Sequence, residues 1–231
     1  VNKKLPLVLT GLLIIGQIAY GGWRYTTHLT DYVDDVNLRI VNPAIDQATK
    51  FDPEEEDRII ATYLALSGRL LGEEKTSLEN TQYLIWPESV FPFLVTERRD
   101  VLSAIAALLP EGTQLITGAM RAEPGAAADA KWIVNLTNDA WFGNTPGPWQ
   151  HLRQSVVRAV EEGLPVVRVA NRGVSGVIDP YGRLRATLPI REPSVTESAL
   201  PKPAPLTVFA RFHHLPFFGL LLACLAVSLI S

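Results

Sequence analysis

Hydrophobic and polar positions divide this chain into two apolar ends and a mixed middle. Leu5 to Trp23 runs 19 residues without a charge. A helix of ~20 residues crosses the ~30 Å hydrocarbon layer of a bilayer, so the run predicts a spanning helix. Lys3 and Lys4 stand before it, and the positive-inside rule then holds the N-terminus in the cytoplasm and sends the following domain outward. Trp23 and Tyr25 would mark the outer interface. A cleaved signal peptide shares the basic start and apolar run, although this run is long and no small-x-small site follows. At the other end, Leu215 to Ser231 is 17 residues of apolar sequence. That is the short limit for a span, and a buried core helix is the alternative. Its place after the Pro-rich stretch Pro201 to Pro205 favours a span, while Arg211, His213 and His214 on its outer flank oppose the positive-inside assignment.

In the middle, β-branched and apolar runs alternate with helical periodicity. Leu38 to Val41 predicts a strand ending at Asn42-Pro43. A helix follows with Asp52 as N-cap, Pro53 in its first position and Glu54 to Glu56 complementing the positive end of its dipole. Ile59, Ile60, Tyr63, Leu64 and Leu66 to Leu71 give it an apolar stripe that closes at Gly72. Tyr83 to Trp86 predicts a strand, Glu97 to Leu109 a helix, Gln114 to Met120 a strand and Trp132 to Thr137 another. Trp149 to Glu162 predicts a helix stopped by Gly163, and Pro165 to Ala170 a strand. Val174 to Ile178 and Leu184 to Leu188 form a hairpin around the turn sequence Asp179 to Gly182. Strands alternating with helices predict a layered α/β sheet.

Composition narrows the function classes. With 231 residues, 47% of them apolar and 19% charged, the chain can bury one sizeable core. A net charge of -3 with scattered basic residues lacks the footprint of nucleic-acid binding. The single cysteine, Cys224, lies in the C-terminal apolar run, so the middle has no disulfide, no cysteine-based metal site and no thiol nucleophile. No cofactor or metal is expected.

Two segments carry candidate chemistry. Trp86-Pro-Glu88-Ser89 sits where a strand ends, the place where an α/β sheet presents side chains to a ligand crevice. Glu88 there is a candidate general base, against the plainer reading of a solvated loop glutamate. Asn135 to Gly143, followed by Thr145 to His151, is richer than a generic loop needs, and reads alternatively as a packed turn with aromatic anchors.

With these segments the chain resembles the apolipoprotein N-acyltransferases, membrane members of the nitrilase superfamily. The resemblance rests on Leu38-Arg-Ile-Val-Asn-Pro43, Leu84-Ile-Trp-Pro-Glu-Ser89, Leu115-Ile-Thr-Gly118, the NLTNDAWFG and TPGPWQH segments, Arg153 to Arg158, Gly163-Leu-Pro165, Arg168 to Gly173 and Val177 to Gly182. It implies a nitrilase-like αββα sandwich flanked by N- and C-terminal transmembrane helices. The division is a helix over 1–25, a periplasmic domain over 26–210 and a second helix over 211–231, in the bacterial inner membrane. It also implies acyl transfer from a phospholipid donor to the N-terminal diacylglyceryl-cysteine of a lipoprotein, with a glutamate base, a lysine that stabilises the oxyanion and a cysteine that carries the acyl group.

Glu88 matches the family glutamate. The family's lysine and cysteine have no counterpart, because the chain passes from Arg121 through the Ala-rich run Ala122 to Ala130 directly to Trp132. A block on the order of 100 residues is expected to be absent near 122–131, large against a typical domain. Lys131 is the nearest lysine, but its surroundings match the helix before the NLTNDAWFG strand. Most of a multi-helix N-terminal bundle is expected to be absent too. Three functions follow: an acyltransferase by family whose chain lacks two catalytic groups, a non-catalytic membrane protein binding lipid or a partner, and a nitrilase-type amidase. The apolar ends and the missing thiol oppose the third.

Overall fold

A computed structural model describes residues 5–50, 52–68, 78–88, 90–91, 98–118 and 130–230. For 5–7, 9 and 224–230, all in helices, only the backbone is described. Helix α1 (Leu5–Thr27) leads to strand β1 (Tyr32–Asn42), helix α2 (Glu56–Ser67), β2 (Tyr83–Ile85), α3 (Arg99–Leu108) and β3 (Gln114–Ile116). After these come β4 (Ile133–Asn138), α4 (Gly147–Glu162), β5 (Val166–Asn171), β6 (Ser175–Ile178), β7 (Leu184–Leu188), β8 (Ser194–Pro201), α5 (Val208–Phe212) and α6 (Leu215–Ile230).

The strands form two four-stranded sheets, ordered β3-β2-β1-β8 and β4-β5-β6-β7. In the first, β1, β2 and β3 are parallel and β8 runs antiparallel to β1. In the second, β4 and β5 are parallel while β6 and β7 return antiparallel. Alternation along each strand explains how the layers stack. In β1, Leu38 and Ile40 join Ile85, Val167, Val169 and Val177 in a core between the two sheets. On the other face of the first sheet, Val41, Leu84 and Trp86 meet Ile59, Ile60 and Tyr63 of α2 and Val101 and Ile105 of α3. On the far face of the second sheet, Val166 and Ile178 meet Leu152 and Ala159 of α4. The layer order is therefore helix, sheet, sheet, helix.

Local signals placed most elements. Asp52 accepts a hydrogen bond from the Glu54 amide, and Pro53–Glu55 form a 3-10 turn that opens α2. Gly163 ends α4 at φ 68°, in the left-handed conformation favoured by glycine. Gly68, not Gly72, caps α2, and residue 72 lies outside the described residues, as do the run 122–129 and the start of the helix expected from Glu97. Strand β1 reaches back to Tyr32, because its partner β8 pairs with it over nearly its full length. Among the described residues, no helix is long and apolar enough to cross a membrane.

Candidate functional site

The parallel strands of both sheets end at one edge of the sandwich. After Asn42 the chain turns across the gap between the sheets, held by a reciprocal pair: the Ile45 amide donates to Asn171 Oδ1 at 2.8 Å, and Asn171 Nδ2 donates to the Ile45 carbonyl at 3.0 Å. Asn171 Nδ2 also reaches Asn138 Oδ1 at 2.9 Å, and Asn138 Nδ2 donates to Gln47 Oε1 at 2.8 Å. Asn138 ends β4 and Asn171 ends β5, so these amides tie the carboxyl ends of β1, β4 and β5 together. That edge is where open α/β sheets bind ligands.

Glu88 enters it from β2. Trp86 is fully buried against Tyr63, ring centroids 4.9 Å apart, and its indole donates to Ser67 Oγ at 2.9 Å. The Trp86 amide bonds the Ile116 carbonyl at 2.9 Å. With the tryptophan locked, the chain beyond Pro87 emerges at the sheet edge and Glu88 is exposed, open to accept a proton. Just after β3, Thr117 Oγ1 is buried without a hydrogen-bond partner among the described residues.

Lys50, at the end of the crossing loop, was not foreseen from sequence. Its side chain is only 3% exposed, unusual for an ammonium group. Its Nζ lies 3.5 Å from the Glu88 carbonyl oxygen. Burial lowers the Lys50 pKa to about 8, and the Glu88 charge opposes that shift.

Asp139 follows β4 and is completely buried, as is the Arg168 guanidinium of β5 that donates to Asp139 Oδ2 at 2.8 Å. His151 Nδ1 lies 2.9 Å from Asp139 Oδ1. Arg168 also donates to the Val174 carbonyl and contacts Asn135 and Ser155, and desolvation lowers its pKa against the opposing Asp139 charge. Gly173 lies against this carboxylate, where an added Cβ would fall 2.2 Å from Asp139 Oδ2. The NDAWFG loop is thus anchored by a buried charge and by Phe142, whose ring packs edge-on against His151 with centroids 6.0 Å apart, while Trp141 is 71% exposed. The pattern of the sequence had marked this segment, but an ion pair across 29 residues leaves no periodic signal.

Residues 119–202 match the carbon-nitrogen hydrolase family, in keeping with the helix-sheet-sheet-helix layers. The apolipoprotein N-acyltransferase of Bradyrhizobium diazoefficiens is 31% identical over 318 positions, covering 98% of this chain and 59% of that protein. The chain's relatives are apolipoprotein N-acyltransferases. The one from Rhodopseudomonas palustris is 31% identical over 304 positions, covering 92% of this chain and 56% of its own length. That from Agrobacterium fabrum is 30% identical over 285 positions, covering 84% and 53%. The chain spans somewhat over half the length of these relatives.

Each alignment is longer than the part of the chain it contains. For the Bradyrhizobium protein, 98% of 231 residues is about 226, which leaves about 90 of the 318 positions without a residue here. The same surplus of about 90 comes from 304 positions against 92% and from 285 against 84%. A surplus that stays constant while the covered share changes lies inside the stretch common to all three. A solved structure, a mutant amidase from Nesterenkonia sp. AN1, aligns at 14% identity with 75% of this chain and 93% of that chain, with a TM-score of 0.45, too slight a likeness to carry an argument.

Proposed function

We propose that residues 26–210 are the acyl-transfer domain of an apolipoprotein N-acyltransferase, in which Glu88 is the general base. The reaction moves an acyl chain from a phospholipid to the α-amino group of a diacylglyceryl-cysteine lipoprotein. The observation that carries the reading is the placement of Glu88: it follows a locked tryptophan at the carboxyl end of a central parallel strand, on the edge where both sheets present their loops. A carboxylate there can take a proton from a nucleophile and later from the attacking amine.

In this reading the domain sits at a membrane. The uncharged runs Leu5 to Trp23 and Leu215 to Ser231, in α1 of 23 residues and α6 of 16, support that placement. Both would anchor the domain at the inner membrane with its catalytic edge on the periplasmic side. The internal surplus of about 90 aligned positions supports the absence of a block near 122–131 that would carry the lysine and the thiol.

The chain as it stands is then a frame with a base and no nucleophile. A carboxylate here has no thiol to activate, since the chain's one cysteine, Cys224, lies in the C-terminal apolar run. Purified chain incubated with phospholipid and a diacylated lipopeptide should give neither a covalent acyl adduct nor triacylated product by mass spectrometry. An adduct lost on Glu88→Ala would show that another side chain has replaced the cysteine.

A further inference from the structure

Lys50 is a buried titratable group that no step of this reaction uses, and its position demands a reason. An ammonium group is almost never fully buried without compensation, because leaving water penalises its charge. Lys50 ends the loop that crosses from β1 to the Asn138–Asn171 amides, and its ammonium points at the main chain of Glu88, 3.5 Å from the carbonyl oxygen. We propose that Lys50 is a positioning residue for Glu88: its buried ammonium clamps the loop after β2 to the loop after β1 and sets a positive charge beside the carboxylate. The proposal rests on the reading of Glu88 as the base.

The physical case has three parts. First, the clamp joins two loops that the sheets leave untied, since β1 and β2 pair only as far as Ile40 and Ile85. Second, the attraction is mutual: the Glu88 charge favours the ammonium that desolvation disfavours. Third, neighbouring charges on the flanking segments have other partners. Asp46 is ion-paired with Arg172, and Asp52 caps the turn that opens α2. Glu88 thus supplies a negative charge that electrostatically supports Lys50.

The test follows Lys50 Nζ and the Glu88 backbone amide by NMR in detergent-solubilised full chain with labelled lysine, across pH 6 to 11. The Lys50 midpoint is expected near 8, and Glu88→Gln should lower it by about half a unit or more, as loss of a nearby opposite charge does. The Glu88 amide should show a step at the same pH. In Lys50→Arg that step should vanish, because a guanidinium stays charged throughout. A midpoint near the ordinary 10.5, a midpoint unmoved by Glu88→Gln, or a Glu88 step that persists in Lys50→Arg would each overturn the proposal. Should Lys50→Arg not fold, the Glu88→Gln titration decides alone. These readouts need no turnover, so their failure is distinct from failure of the acyl-transfer reading.

Discussion

At the residue scale, the site edge depends on buried charges as well as on the buried Trp86. Asp139 and Arg168 are both withdrawn from water and satisfy each other. Removing one partner leaves the other as an uncompensated buried charge, which costs ~3–5 kcal/mol in comparable pairs. Asp139→Asn keeps the shape of the side chain and removes the charge, so chemical denaturation should show a loss of that order, with His151 and the NDAWFG loop freed from their anchor. A loss below about 1 kcal/mol, the range of a surface pair, would mean that the pair is solvated. Lys50 makes a different mark. Its folded pKa of about 8 lies below the ordinary 10.5, so between those values the unfolded chain binds more protons and stability rises with pH. Lys50→Met should flatten that rise, measured as the pH dependence of the denaturation midpoint.

At the scale of elements, the sequence placed what short-range chemistry dictates. The Asp52-Pro53 start of α2, the Gly163 stop of α4 and the Asp179 to Gly182 turn were all legible, because caps and turns are set by neighbours along the chain. Strand β8 escaped notice. Its residues Ser194–Pro201 carry Thr196, Glu197 and Ser198 among apolar positions, and its ladder to β1 joins residues more than 150 apart. Glu197 lies directly opposite Arg39 and forms an ion pair with it, so it neutralises a buried guanidinium from a strand far along the chain. Lys50 was invisible for the same reason, since only the crossing loop brings it to Glu88. A direct check on local chemistry is Gly163→Ala. The left-handed backbone costs a non-glycine residue ~1–2 kcal/mol, and the new Cβ would meet Thr207 Cγ2 at 2.8 Å. The thermal midpoint should fall; an unchanged midpoint would contradict the cap assignment.

At the scale of the whole molecule, the proposed joint near 122–131 would fall between β3 and β4. Strand β3 ends the first sheet and β4 ends the second, and exposed strand edges invite pairing with other chains. A block inserted there would extend both sheets outward without disturbing β1, β2 or β5, which carry the Glu88 edge. In the proposed reading, the frame around Glu88 would persist while about 90 aligned positions are absent.

The most direct measurement of the central claim is to restore those groups. Replacing residues 122–131 with the corresponding longer segment of the Bradyrhizobium diazoefficiens relative, and assaying the purified protein in detergent with phospholipid and a diacylated lipopeptide, should produce triacylated product through a thioester on the restored cysteine. Glu88→Gln in the restored protein should lower that rate by ~10²-fold or more, the scale of general acid-base catalysis. A folded restored protein that forms no thioester, or one that works equally well with Glu88→Gln, would contradict the account.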